Sequence, residues 1–265
     1  MQQATDFIEE CDSIAALIDG QDDLNFDTVT QFKGWSIGDV MKHLQLWNIG
    51  ADLTLTDAEA FKALMMKLMG ALVGGQTHQE MQNEYFAGRS HADIYAEWKS
   101  FYPEMTQRFA TADPDRRVPW AGPDMTVRNC IIARQMEHWA HAQAIFDVLG
   151  QTRVNTDRLK NIAHIGVTTY SWSFKVNAQK PPLPKPYIRL TAPSGEIWEW
   201  NDPQDDNCVE GSAEGFCQVV TQCRNVADTD IVATGENAAR WMEIAQCFAG
   251  GAEKQPEPGS RYKQN

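Results

Sequence analysis

Apolar residues three and four positions apart dominate the first two thirds of the chain. Between Thr5 and Ile18, the positions Phe7, Ile8, Cys11, Ile14, Ala15 and Ile18 predict a helix with one buried face. A second helix is predicted from Ser36 past Trp47. A third covers 57–73, "DAEAFKALMMKLMGALV", and is stopped by Gly74 and Gly75. Ile94, Trp98, Phe101, Met105 and Phe109 form one stripe of a helix over 92–111. "TVRNCIIARQMEHWAHAQAIFDVLG" follows as another, with Thr126 as its cap and Gly150 closing it. A last helix is expected over 156–176.

The pattern then changes. "QKPPLPKP" cannot continue a helix and predicts a stiff extended linker. Beyond it, "YIRLTA" and "EIWEWN" flank Pro193, Ser194 and Gly195, which predicts a hairpin. "DIVATG" is a further strand, while "SAEGFCQVVTQC" and "NAARWMEIAQCFAG" are helical in pattern. The expected fold class is α + (α+β). A helical bundle domain covers 1–178, a proline-rich linker 179–186, a small α+β domain 187–250 and a flexible tail 251–265.

Composition narrows the function classes. The 265 residues suffice to bury a proper core, in one large domain or two modest ones. Acidic side chains outnumber basic ones 36 to 23, for a net charge of -13. That field repels phosphate backbones and anionic lipid, so the expected partner is a small molecule, with no nucleic acid and no membrane. No uncharged apolar run approaches the ~20 residues of a membrane span. The start, "MQQATDFIEECDS", has neither the basic nor the apolar region of a secretory signal. Six scattered cysteines without a C-x-x-C predict reduced, buried thiols and a cytoplasmic protein. The oligomeric state, monomer or homodimer, stays open.

"GWSIGDVMKHL" spells G-x-S-x-G from Gly34 to Gly38, the pattern of a serine-hydrolase nucleophile elbow. An elbow needs a buried strand upstream, and "LNFDTVTQFK" is too polar to be one. The helical reading accounts for more. Ser36 and Asp39 match a capping box, and Val40, Leu44 and Trp47 then share a face that carries His43 toward the core.

An inward histidine needs a partner. "RQMEHWAHAQ" places Glu137 and His141 four apart on one helix face, with Arg134 one turn earlier and Cys130 a turn before that. His43, Glu137 and His141 make a two-histidine, one-carboxylate set, an inventory shared by catalytic zinc and mononuclear iron sites. Bland readings compete. Glu137 and His141 also fit a solvated pair worth roughly 0.2 to 0.5 kcal/mol. His43 also fits a core histidine bonded to a carbonyl, and the residues alone leave metal and no metal open. His138 lies about 100° round the helix from Glu137, which suits a supporting or surface position. His164 faces either the cavity or its own structural bonds, and His78 and His91 are expected at the surface.

"GWSIGDVMKHL" together with "VPWAGPDMTVRNCIIARQMEHWAHAQAIFDVLG" resembles the DinB-like metal-binding bundles, and within them the mycothiol-dependent maleylpyruvate isomerase branch. The resemblance covers roughly residues 5 to 150. It implies a four-helix bundle that holds a divalent metal, usually zinc, through a histidine of the second helix and a Glu-x-x-x-His of the last. Those residues here are His43, Glu137 and His141. The C-terminal part resembles an accessory domain reminiscent of sterol-carrier-like α+β modules. An arginine there is implied to help hold the thiol, with Arg224 favoured over Arg240.

The activity implied is isomerisation or S-transfer on a small electrophilic acid, using mycothiol, glutathione or another small thiol. The thiolate would add to a cis double bond, the resulting single bond would rotate, and elimination would return the trans acid and the thiol. Arg134 or His164 would orient the anionic substrate. Two other readings stand beside this one: a non-catalytic protein enclosing an apolar ligand among its tryptophans, and an iron-dependent oxygenase on the same three ligands.

Overall fold

In the computed structural model, which describes residues 1–264, the first apolar stripe becomes helix α1 (Gln2–Asp19), with Phe7, Cys11, Ile14 and Ile18 buried. Helix α2 (Ile37–Thr56) follows, then α3 (Ala58–Val73), α4 (His78–Tyr85) and α5 (His91–Thr111). A two-stranded antiparallel hairpin, β1 (Arg117–Val118) and β2 (Met125–Thr126), leads into α6 (Val127–Val148). The bundle is formed by α1, α2, α5 and α6, each packed on two of the others. Helices α3 and α4 pack on α2 from outside this set. Helix α2 is therefore covered on nearly every side, and even Gln45 and Asn48 are fully buried. Helix α6 likewise buries Arg134, Gln135 and His138. Polar groups in such places must find partners inside the protein.

Helix α4 lies outside the predicted pattern, since "HQEMQNEY" carries one apolar anchor, Met81. A capping box between Thr77 and Glu80 starts it. Met81 and Gln82 are its buried residues, and Gln82 Nε2 donates to the Asp39 carbonyl at 2.9 Å.

The chain divides into two compact units, Met1–Val148 and Leu149–Asn265, so the division falls thirty residues before the expected boundary at 178. The expected helix over 156–176 breaks at Thr169 into α7 (Leu159–Thr168) and α8 (Tyr170–Val176). Helix α7 packs on α9 (Ala213–Val220) and α8 on α10 (Glu236–Ile244), which draws both into the second unit. The close approach of α7 and α9 depends on Gly166, where an added Cβ would lie 2.8 Å from Val220 Cγ2.

Strands β3 (Tyr187–Thr191), β4 (Ile197–Trp200), β5 (Cys208–Ser212) and β6 (Val232–Thr234) form a sheet in the order β4-β3-β5-β6. The predicted hairpin is β3–β4, antiparallel, with Leu190 opposite Trp198 and Gly195 at φ 88° in its turn. The central pair β3–β5 is parallel, and β5 was not legible in "CVEGS". Ile188, Leu190, Trp198, Val209, Phe216 and Trp241 are buried in this unit, each such side chain contributing about 1.5–3 kcal/mol.

The segment expected as a flexible tail is tied down. Gln222 Nε2 donates to the Glu253 carbonyl and Asn225 Nδ2 to that of Pro256, while Gly259 N–H donates to Asp228. Carbonyls of the proline-rich segment are used in the same way, by Tyr170 at Pro182 and Asn207 at Pro184. Among the described residues no helix is long and apolar enough to cross a membrane.

Candidate metal centre

Ser36 caps α2 as the helical reading expects. Asp39 N–H donates to Ser36 Oγ at 3.1 Å, and Ser36 N–H donates to Asp39 Oδ2 at 3.1 Å. Both glycines of the G-x-S-x-G pattern then have structural reasons. Gly34 sits at φ 71° and Lys33 at φ 52°, the two central positions of a tight turn closed by Trp35 N–H donating to the Phe32 carbonyl at 2.9 Å. Gly38 leaves room for the His91 ring, which a Cβ would meet at 2.3 Å. His91 is thus partly covered at its surface position, and its Nδ1 lies 3.0 Å from Asp27 Oδ1. His78 is exposed. The nucleophile elbow is excluded by this geometry, because Ser36 precedes a helix without a strand behind it. Replacing Ser36 by alanine is expected to cost about 1 kcal/mol in a denaturant titration through the lost cap, with metal content unchanged.

Two turns after the cap, α2 delivers His43, and α6 delivers Glu137 and His141 toward it. His43 Nε2 lies 3.5 Å and His141 Nε2 3.2 Å from the same oxygen, Glu137 Oε2. One ligand atom from each of the three lies within 4.8 Å of the other two. His43 is 8% exposed, while the Glu137 side chain keeps 23% of its surface in contact with solvent. The group therefore sits at the edge of the core, reachable from outside.

Its charges suit a cation. Burial, and then the neighbouring His141, carry the His43 pKa down from 6.5 to about 3 against the pull of Glu137. Burial pushes the Glu137 carboxyl up, but the hydrogen bonds from His141 and His43 and their charges outweigh it and hold it well below the usual range. An anionic carboxylate and an imidazole with a free lone pair are the protonation states that metal ligands need. Trp35 and Phe32 wall the group on the His141 side, with ring centroids 5.9 and 4.9 Å from that imidazole.

The polar stripe of α6 divides between two tasks. Arg134 is 1% exposed and donates from Nε to Asn48 Oδ1 at 3.2 Å and from Nη2 to the Leu44 carbonyl at 3.3 Å. His138 is fully buried, which places it neither at the surface nor in the His43 group. The Trp98 indole N–H, which can only donate, meets His138 Nε2 at 3.2 Å, so Nε2 accepts. Asn48 Nδ2 donates to the same nitrogen at 3.3 Å, and His138 Nδ1 then donates to the Arg134 carbonyl at 2.7 Å. No local pattern signals this run of hydrogen bonds, because Asn48 and Trp98 come from separate helices.

His164 is exposed on α7, and Arg224 is half-buried after α9, with Nη1 donating to the Cys223 carbonyl at 3.1 Å. Both belong to the second unit. All six cysteines are buried and none is in a disulfide, and burial pushes the Cys130 thiol up to about 12.

The two buried histidines make the metal-free protein acid-sensitive. Burial holds the pKa of His138 well below 6.5, as it does that of His43. The unfolded chain therefore takes up each proton first, and stability falls as pH drops below 6.5. Between pH 7 and 5 each ring is expected to cost about 2 kcal/mol, while Glu137 stays ionised throughout that window. Urea unfolding of the metal-free protein at both pH values measures this; equal midpoints would mean the rings are not held neutral.

A helical bundle that gathers two imidazoles and a carboxylate from two of its helices, followed by a small α+β unit, defines the class of protein. The chain belongs to the family described as "Mycothiol maleylpyruvate isomerase N-terminal domain", whose model matches residues 7–146. It is 35% identical over 245 residues, 92% of this chain and 94% of the relative, to uncharacterized proteins of Mycobacterium tuberculosis strains CDC 1551 / Oshkosh and ATCC 25618 / H37Rv. In fold it is similar to the crystal structure of the mycothiol-dependent maleylpyruvate isomerase. The TM-score is 0.53 at 14% identity, with 89% of this chain and 93% of that one covered. A mutant form of that isomerase gives a TM-score of 0.50 at the same identity, covering 82% of this chain and 87% of the other.

Proposed function

We propose that this protein is a cytoplasmic, metal-dependent enzyme that uses a low-molecular-weight thiol for isomerisation or S-transfer on a small electrophilic acid. The observation that carries the reading is the convergence of His43, Glu137 and His141 within 4.8 Å, inside the part of the chain that matches the isomerase family. Six buried cysteines with no disulfide among them suit a compartment where small thiols stay reduced.

The donor set fits a divalent cation, zinc first. Two imidazoles and one carboxylate are a catalytic zinc inventory that leaves coordination positions open. A cation held there would lower the pKa of a bound thiol or water, supplying a nucleophile at neutral pH. The chain's own residues do the rest. Glu137 supplies the compensating negative charge, and burial keeps the His43 imidazole neutral. Phe32 and Trp35 exclude water from one side. Arg134 supports α2 from beneath through Asn48 and Leu44, and the buried cysteines take no part.

Metal analysis of purified protein, followed by an assay of maleylpyruvate with mycothiol and then with glutathione, tests the proposal. One equivalent of zinc and thiol-dependent formation of the trans acid are expected. Iron in its place, with turnover dependent on oxygen rather than thiol, would favour the oxygenase reading of the same ligands. Protein without metal would sink both.

A further inference from the structure

Histidines that bind a metal ordinarily donate their second ring nitrogen to a carboxylate or carbonyl, and that bond sets the ring's orientation. Here His43 Nδ1 and His141 Nδ1 are both buried without a hydrogen-bond partner among the described residues. Something else must orient the two rings. The contacts around them are aromatic. Trp35 neighbours both, its ring centroid 5.9 Å from that of His141 with the planes 4° apart and 5.4 Å from that of His43 at 57°. Phe32 meets His141 edge-on at 4.9 Å, and Trp47 lies 6.3 Å from His43.

Trp35 is itself held firmly. Its carbonyl accepts from both Thr30 N–H and Thr30 Oγ1 at 2.8 Å. Its N–H closes the Phe32–Trp35 turn, an isolated bridge pairs Val29 with Ser36, and the next residue is the cap of α2. Phe32 packs edge-on against the indole at 5.2 Å. The side chain is 6% exposed. A planar indole anchored to the helix that carries His43 therefore lies parallel to the ring that α6 brings.

We propose that Trp35 is the positioning residue of the His43–Glu137–His141 group, orienting the His141 imidazole by parallel stacking and the His43 imidazole by a tilted ring contact, where hydrogen bonds would otherwise do so. This rests on the reading of that group as a metal site. The claim concerns the flat face of the indole as well as its bulk, so leucine and phenylalanine separate the two.

The test measures zinc affinity by competition with a chromophoric chelator, and the visible absorption of the cobalt-substituted protein. It compares wild type with Trp35→Leu, Trp35→Phe and Phe32→Leu. Trp35→Leu is expected to weaken zinc binding about 10- to 100-fold and to broaden the cobalt bands, the size of effect seen when a ligand loses its orienting partner. Trp35→Phe is expected to recover most of that loss.

Wild-type affinity and an unchanged cobalt spectrum in Trp35→Leu overturn the proposal, and so does Trp35→Phe losing as much as Trp35→Leu. Should Trp35→Leu fail to fold, the half-buried Phe32→Leu carries the test through the other face packed on His141, with a smaller loss expected and no loss overturning it. A wild-type protein that binds no zinc removes the metal reading itself, a result distinct from variants that match a zinc-binding wild type.

Discussion

Glu137→Ala is expected to leave a folded protein that no longer takes up zinc. Glu137 Oε2 is the atom on which both imidazoles converge, at 3.2 and 3.5 Å. It is also the group's only negative charge among the described residues that form it. Without it, a divalent ion would enter a partly buried site with no compensating negative charge, and the cost of desolvating the ion would be unmet. Wild type in zinc at a thousand times its dissociation constant should gain about 4 kcal/mol of stability. The variant should gain nothing measurable.

The metal-free variant should itself lose about 1–3 kcal/mol, because two buried ring nitrogens lose their acceptor. Glu137→Gln keeps the size and removes the charge, so it separates packing from electrostatics. Thermal melts with and without zinc, with elemental analysis, decide the matter. If Glu137→Ala kept stoichiometric zinc and its stabilisation, the ion would be held elsewhere.

Asn48→Leu should be among the most damaging changes away from the metal group. Asn48 is fully buried, accepts from the Arg134 guanidinium and donates to His138. Leucine fills similar space with no polar atom. Arg134, whose pKa burial already lowers, would lose its side-chain acceptor. A hydrogen bond to a charged group contributes about 1.5–3 kcal/mol, and leaving its partner buried adds to the loss. About 3–4 kcal/mol is expected in urea. Pairing the change with Arg134→Met should cost less than the two singles summed, since the stranded charge goes too. Strict additivity would show that the pair is uncoupled.

Much of this protein is readable along the chain where the signal is local. The Ser36–Asp39 cap involves neighbours three apart, and it was enough to separate a helix start from a nucleophile elbow. The Glu137–His141 spacing is a property of one helix, and the length of α2 places His43 two turns inside. Signals that depend on pairing were not readable. Strand β5 is short and carries Glu210 and Gly211, so its place at the sheet centre comes from partners β3 and β6, whose paired residues all lie more than twenty positions away along the chain. Helix α4 has a legible capping box at Thr77 but one apolar anchor, so periodicity passed over it. The division between the units follows the packing of α7 and α8 on α9 and α10, whereas proline content marks only a change of local conformation.

The metal group shows the same boundary most clearly. Residue types and helical spacing were sufficient to nominate His43, Glu137 and His141, because a helix repeats its geometry every turn wherever it occurs. Spacing could not say that Arg134 and His138, on the same helix, turn to Asn48 and Trp98 instead, nor that the Trp35 indole lies parallel to the His141 ring. Those outcomes depend on how α1, α2, α5 and α6 cross and on which buried polar atoms must be satisfied once they do, and neither is a property of any single stretch of chain.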